Sequence, residues 1–449
     1  MQKFANSYLS KIYEDLEQRN KGMDEFLQAV AEVLHSIEPI IDLHPELEAN
    51  GIVEKMVEPE RLIQFQVPWM DDNGKTRVNR AFRVHFNGTL GPYKGGMRFH
   101  PSVNASIVSF LSFEQTFKNA LVSLPMGGGK GGSDFDPKGK SEGEVRRFCQ
   151  SLMVELYKYL GQFTDVPAGD IGVGAREVGY MFGQYRRITD EFTGVFTGKI
   201  PSNSGSLGRK EATGYGLIYI VEKMLEVVLK DSFEGKKVIV SGSGNVAIHA
   251  AQKAASLGGV VITASDSGGY ILDESGINLE VLKQIKEVER LRISEYVNRV
   301  PRSFYFEGSK NIWGVKADIA LPCATENELD LNGAKALVKN SVIAVAEGSN
   351  MGTTSDAAQY LIENRVLYLP GKASNAGGVT VSGLEMSQNS LRLSWSSEEV
   401  DKRMKEVMVN IFNTIHETAK KYNKPNNYLV GANIASFLKL AEAMVWQGN

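Results

Sequence analysis

The sequence predicts an α/β fold of two domains, and three observations carry that prediction. From about residue 205 onward, short apolar runs alternate with helical patterns, which is the rhythm of a parallel, doubly wound sheet. One of these runs ends in a glycine turn that opens a helix, at Ser241-Gly242-Ser243-Gly244-Asn245. The first 200 residues lack that rhythm and instead frame strand-like and glycine-rich segments with helices. The expected division is a first domain over 1–204, joined by a returning C-terminal helix at 426–449, and a second over 205–425. A chain of 449 residues suits two to four domains at about 150 residues each.

At the N-terminus, Phe4, Leu9, Ile12, Tyr13 and Leu16 fall near one helical face. Runs 62–67 and 82–86 read as strands. Val103, Ile107, Phe110, Phe117 and Leu121 predict a helix over 103–121. A glycine-rich loop follows at 123–139, then a helix over 142–160. In the second half, helices are expected at 210–230 and 245–257, and strands at 236–240, 260–264, 318–321, 342–346 and 366–369. Residues 398–447 read as two long helices broken at 423–427.

Composition excludes several classes. With 50 basic and 53 acidic residues the formal charge is −3, which gives no reason to expect nucleic acid or an acidic membrane as partner. Two cysteines, Cys149 and Cys323, make no disulfide framework and suit a reducing compartment. Six histidines show no metal-ligand spacing, so no metal is expected. Acidic Glu14, Asp15 and Glu17 argue against a transit peptide, and no run of 18 apolar residues suggests a membrane span. The expected location is the cytoplasm.

The run 238–247 fits G-x-G-x-x-A between a strand and a helix. Gly242 would make the tight turn and Gly244 would admit a pyrophosphate, with Ser243, Asn245 and Val246 beside it. Ala247 would allow close helix–strand packing. Asp266 stands 24 residues after Gly242, where an acid takes a ribose hydroxyl. A Rossmann-like NAD(P)-binding domain is thus predicted over 205–425. Ser265 beside that acid, with Lys286, Arg290 and Arg292 placed on the next helix, could instead hold a 2′-phosphate and favour NADP over NAD. The other reading of those three basic residues is a solvated helix face.

Residues 91–170 hold unusual lysines. Lys94 lies in GPYKGGMRF, Gln115 and Lys118 share a helix face, and Lys130 sits among five glycines in PMGGGKGGS. That last segment is poor helix and poor strand, so it is expected to be a loop presenting Lys130. It fails the P-loop pattern, which needs Gly at Leu124 and Ser or Thr at Gly131. Burial, with Lys94 and Lys118 as like charges, would tune Lys130 toward neutrality and acid–base work. Asp170, in another glycine-flanked turn, could relay a proton.

With these motifs stand EATGYG (211–216), LPCATENEL (321–329) and ASNAGGVTVSGLEMSQN (373–389). Together they make the chain resemble the hexameric glutamate dehydrogenases of the glutamate/leucine/phenylalanine/valine superfamily from about residue 50 to the end. The resemblance implies reversible oxidative deamination of L-glutamate to 2-oxoglutarate and ammonium. It implies that Lys94 and Ser382 bind the side-chain carboxylate, and that Gln115 and Lys118 hold the α-carboxylate. Lys130 would activate water, and Asp170 would shuttle the amino proton. Arg209 and Thr213 would lie in a cleft that closes over substrate. Thr213, Ala324, Thr325, Asn350 and Asn375 would line the nicotinamide side, and a homohexamer is implied.

Two positions depart from that pattern: Ser349 stands where Ala is usual in the EGAN motif, and Gly352 where Pro is usual just after it. The run 263–267 resembles the NADP-using branch. The rivals are an NAD-dependent glutamate dehydrogenase, a leucine, valine or phenylalanine dehydrogenase, and a non-catalytic relative. The third would not need Lys130 and Asp170, and the second would not need Lys94 and Ser382.

Overall fold

The structure is a computed structural model and describes residues 4–448. The chain forms two compact units. The first comprises the chain up to Leu207, Val381–Val400, and residues from 433 onward. Its sheet holds β1 (Arg61–Met70), β2 (Thr76–Asn87), β3 (Tyr93–Phe99), β4 (Gly127–Ser133) and β5 (Asp165–Gly169) in the order β1-β2-β4-β3-β5. The β1–β2 and β2–β4 pairings are antiparallel, whereas β3 runs parallel to β4 and to β5. Helices Ser7–Arg19, Ala105–Leu121 and Glu142–Leu156 lie where their apolar periodicity places them.

One expectation fails here in an informative way. The segment around Lys130 is no loop: it is β4, buried along its whole length between β2 and β3. Crowding decides this. A Cβ at Gly127 would lie 2.5 Å from the Asn87 carbonyl, at Gly131 2.5 Å from Met97 Sδ, and at Gly132 2.5 Å from the Arg98 carbonyl. At Gly128 it would overlap the Thr116 side chain. Glycine is a poor strand former on entropy alone, but here no other residue fits. The glycines of 91–99 behave alike, since a Cβ on Gly95 would meet the Gly129 carbonyl and one on Gly96 the Gly169 carbonyl.

The expected domain division also needs adjustment, because residues 381–400 cluster with the first unit. Polar contacts explain it. Glu385 pairs with Lys199 at 2.8 Å, both buried, and accepts the Gly198 amide at 2.9 Å. Gln388 donates to Ser206 at 2.8 Å, and Asn389 to the Ser204 carbonyl at 2.7 Å. The helix Tyr428–Gln447 is apolar enough by mean hydropathy to cross a membrane. Its buried Phe437, Leu440 and Met444, and the Lys439 bond to the Ala120 carbonyl at 2.9 Å, make it a core helix.

The second unit spans Gly208–Thr380 and Asp401–Ala432. Its strands are β6 (Lys237–Val240), β7 (Val260–Val261), β8 (Thr263–Ser265), β9 (Gly269–Leu272), β10 (Phe304–Glu307), β11 (Ile319–Leu321), β12 (Ala344–Ala346) and β13 (Leu367–Leu369). A parallel sheet runs β13-β12-β11-β6-β7, with the chain reversing its direction of travel between β6 and β11. Ligands of such sheets bind outside the strand C-termini at that switch point. The predicted strand 260–264 splits: β7 stays in the parallel sheet, while β8 turns into an antiparallel sheet with β9 and β10.

Gly128→Ala is expected to destabilise the protein by about 2–3 kcal/mol through overpacking against Thr116. Gly183→Ala, in the helix Ala175–Thr189 where an added Cβ meets nothing, should stabilise by about 0.5–1 kcal/mol. Denaturant midpoints compare the two, and equal effects would contradict the crowding argument.

Candidate active site

In the first unit, period-2 geometry sets Lys94, Gly96 and Arg98 on one face of β3. Lys94 is almost fully buried. Its carbonyl accepts from Asn119 at 3.1 Å, Asn119 also donates to the Gly127 carbonyl at 2.6 Å, and Gln115 donates to Asn119 at 2.7 Å. The helix bearing Gln115 and Lys118 is thereby tied to both glycine strands. Ser382 is buried on the helix Gly377–Leu391, and a Cβ on the next residue, Gly383, would meet Leu124 and Met126 just before β4.

Lys130 Nζ lies 3.6 Å from Asp170 Oδ1, and Arg98 Nε lies 2.8 Å from Asp170 Oδ2. Asp170 closes the turn after β5 by accepting the Val173 amide at 2.9 Å through its carbonyl. Burial pushes the Lys130 pKa down; Asp170 opposes this, and the charges of Arg98 and Arg83 reinforce it, leaving the lysine below its ordinary range. The like charges that act most on it are these arginines, which the sequence reading had not named. Burial raises the Asp170 carboxyl, but Lys130 and Arg98 outweigh it and hold it below the usual carboxylate range. Behind this cluster, Asp165 accepts from Arg83 Nε at 2.8 Å and contacts His85 Nε2 at 2.8 Å, all fully buried. Sequence reasoning missed Arg83, Arg98, Asn119 and Asp165. Strand periodicity from Lys94 could have found Arg98; the others are long-range contacts with no local signal.

In the second unit, Gly242 has φ +81°, the left-handed conformation its tight turn needs. Gly244 caps the helix Asn245–Ser256 and has open space where a Cβ would stand, and Ala247 is buried against the sheet. Ser243 is buried, while Asn245 donates to the Lys210 carbonyl at 2.6 Å and Val246 lies half-buried behind it. Ser265 accepts the Gly242 amide at 2.7 Å and is buried beneath the glycine turn. The solvent-facing hydroxyl at that strand end is Ser267, on the β8–β9 turn, which Arg292 reaches at 2.7 Å.

Asp266 accepts the amides of Ile293 at 3.0 Å and Gly268 at 2.9 Å, with Lys286 at 3.8 Å and Arg292 at 3.9 Å. Burial raises its carboxyl, and these amides and cations more than reverse the effect. Of the three basic residues assigned to a helix, only Lys286 lies on helical backbone, a π turn at Gln284–Val288. Arg290 follows it in the left-handed region at φ 56°, exposed, and Arg292 precedes a short 3-10 turn.

Arg209 and Thr213 meet at Gly378, whose Cβ would lie 2.6 Å from Thr213 Oγ1 and 3.5 Å from Arg209 Nη1. Ala324 and Thr325 are exposed beyond β11, their amides bonded to Glu328 at 2.8 and 3.3 Å. Asn375 donates to the Ser349 carbonyl at 3.1 Å and to Asn350 Oδ1 at 2.8 Å. Glu328 is a further residue that the sequence did not single out.

Family models match both halves: glutamate/leucine/phenylalanine/valine dehydrogenase over residues 204–448, and the dimerisation domain of the same family over 59–187. The chain belongs to the glutamate/leucine/phenylalanine/valine dehydrogenase family. Within it, the chain is 54% identical to the NADP-specific glutamate dehydrogenase of Salmonella typhi, over 98% of each chain. It is 53% identical to the NAD-specific glutamate dehydrogenase of Porphyromonas gingivalis, over 96% of this chain and 98% of that one. The crystal structure of Plasmodium falciparum glutamate dehydrogenase superposes with a TM-score of 0.96 at 51% identity, covering 98% of this chain and 94% of that one.

In this family member, Asp170→Asn would remove the carboxylate that Lys130 and Arg98 share. A loss of about 3 kcal/mol is expected at neutral pH, as for a broken buried pair. The loss should shrink at alkaline pH, where Lys130 sheds its proton. Denaturant unfolding at two pH values measures this, and a pH-independent loss would contradict the charge argument.

Proposed function

We propose that this protein is an NADP-dependent glutamate dehydrogenase that interconverts L-glutamate with 2-oxoglutarate and ammonium. The observation that carries the proposal is the pairing of buried Lys130 with half-buried Asp170, held by Arg98 beside two glycine strands. A buried lysine below its ordinary pKa is an acid–base group, and an anchored carboxylate beside it is a proton relay. Asp170 takes the proton from the amino group of glutamate. Lys130 takes one from the water that attacks the imine carbon, and returns it to the departing ammonia. Lys94 and Ser382 bind the side-chain carboxylate, Gln115 and Lys118 the α-carboxylate, and Arg209 contributes a further cation. Lys94 supplies a cation for a second carboxylate, which suits glutamate better than the apolar side chains of leucine, valine and phenylalanine.

The second unit's residues fit a dinucleotide. The open space over Gly244 and the free amides of the helix start at Asn245 suit a pyrophosphate between Gly242 and Val246. Ser267, Lys286 and Arg292 suit a 2′-phosphate. Asp266 is engaged by two amides and two cations, which leaves its carboxylate poorly placed to take a ribose hydroxyl. These observations favour NADP over NAD. Thr213, Ala324, Thr325, Asn350 and Asn375 would face the nicotinamide, which when bound exchanges a hydride with the substrate α-carbon. A homohexamer in the cytoplasm completes the reading, supported by the dimerisation-domain match and the two free cysteines.

Absorbance at the reduced-nicotinamide band tests the proposal, with 2-oxoglutarate and ammonium given alongside NADPH or NADH. NADPH oxidation should be far faster, and Lys130→Ala should lower kcat by about 10²–10⁴-fold. Turnover preserved in that variant would remove Lys130 from its role, and faster NADH oxidation would overturn the NADP assignment.

A pH profile tests the charge environment. In glutamate oxidation Lys130 must be neutral to accept a proton, so the rate should climb as pH rises through its lowered pKa. Arg98→Met deletes a cation that lowers that pKa, so the rising limb should move to higher pH. An unmoved limb would mean that another group titrates.

A further inference from the structure

The turns after β11 and β12 run side by side in the second unit. Asn327 donates to the Met351 carbonyl at 2.8 Å and Leu329 to the Gly352 carbonyl at 2.9 Å. These bonds zip the far end of the two turns. The near end, which bears Ala324, Thr325 and Asn350, depends on residue 349.

Ser349 Oγ lies 3.3 Å from the carbonyls of Pro322 and Thr325 and 3.5 Å from Glu328 Oε1. The Pro322 carbonyl already accepts the amides of Gly348 at 2.7 Å and Ser349 at 3.0 Å, which uses both its lone pairs. The hydroxyl proton is therefore best spent on Thr325 or on Glu328, whose carboxylate also holds the Ala324 and Thr325 amides. From the other side, Asn375 grips the Ser349 carbonyl and the Asn350 side chain together. A Cβ on Gly352 would fall on Ser349 Oγ, far inside contact distance, and 3.1 Å from Pro322 Cβ. The hydroxyl thus occupies the space that any larger residue at 352 would claim. The two departures from the family pattern noted in the sequence are a single steric and hydrogen-bonding unit.

We infer that the Ser349 hydroxyl is a positioning residue for the turns at the nicotinamide end of the cofactor site, and that glycine at 352 is its steric requirement. The inference rests on the proposed cofactor reading for what the turns bind, and on the geometry alone for the interlock. Ser349→Ala frees the space beside Gly352 and unties Thr325. Gly352→Ala drives the hydroxyl from its acceptors.

A double-mutant cycle tests it, with Ser349→Ala, Gly352→Ala and the double variant in the full-length protein. NADPH affinity is read by fluorescence titration, KM and kcat by absorbance, and the unfolding midpoint by heating. Gly352→Ala alone should weaken NADPH binding roughly ten-fold, and Ser349→Ala roughly three-fold, as for coupled neighbours. The double variant should bind no worse than Ser349→Ala, because the clash partner has gone. The KM for NADPH should move in both single variants while that for 2-oxoglutarate stays, a split that simple loss of stability would not produce. Additive losses in affinity and midpoint would overturn the interlock. Coupled midpoints with unchanged NADPH affinity would reduce Ser349 to a structural role and overturn its positioning one. A wild-type protein that binds no NADPH would overturn the cofactor reading and the positioning role with it, while the midpoints still decide the interlock.

Discussion

The close passage of β4 between β2 and β3 fixes the position of Lys130, around which the first unit's charged cluster is arranged. Strand spacing is set by backbone hydrogen bonds, so what varies is how near the layers above and below can come. Along β4 only Lys130 and Ser133 carry side chains, and the carbonyls of Asn87 and Arg98 together with Met97 and Thr116 fill the space that Cβ atoms would take. A lysine in such a strand has no room for a solvation shell. Its charge must be met by protein groups, which is why Asp170 and Arg98 stand where they do.

Two charge clusters share this sheet, the one at Asp165 fully buried and the one at Asp170 partly so. Asp170 answers Lys130 and Arg98, while Asp165, five residues earlier, answers Arg83 and His85. Strand β5 and the turn after it thus deliver one carboxylate to each cluster. Each cluster thus holds a carboxylate against its cations, as burial demands. The first is tuned by partial imbalance, since two arginines act on Lys130 against one aspartate. The second is structural: its Arg83 also donates to the Gly95 carbonyl at 3.2 Å and so steadies β3 beside Lys94.

In the second unit the parallel sheet provides the crevice, and the β8–β9 turn modifies its rim. An acid at the end of the second strand is a familiar ribose ligand, yet here the turn and the segment at Ile293 enclose it with amide donors. Relatives of both cofactor types lie at nearly equal identity, so overall similarity does not discriminate between them. The proposed preference for NADP rests instead on the set of charges at this rim.

The sequence by itself determined a good deal. The glycine turn at 242–244, the five parallel strands and the long helices were legible because their signals are local: periodicity, turn chemistry and flanking punctuation. Lys94, Lys130 and Asp170 stood out as candidates because glycine-rich surroundings are costly unless something requires them. The same local logic misread the glycines of β4 as a loop, since strand propensity is a property of neighbours rather than of the segment. It likewise read Ser265 as an open hydroxyl at the strand end, when the amide of Gly242 draws it beneath the turn. Only the tertiary structure decided which cations act on Lys130, which hydroxyl faces the rim, and that Ser349 and Gly352 belong together. Each of those is a contact between segments distant along the chain or folded over one another, and burial and hydrogen-bond saturation, not sequence spacing, select such contacts.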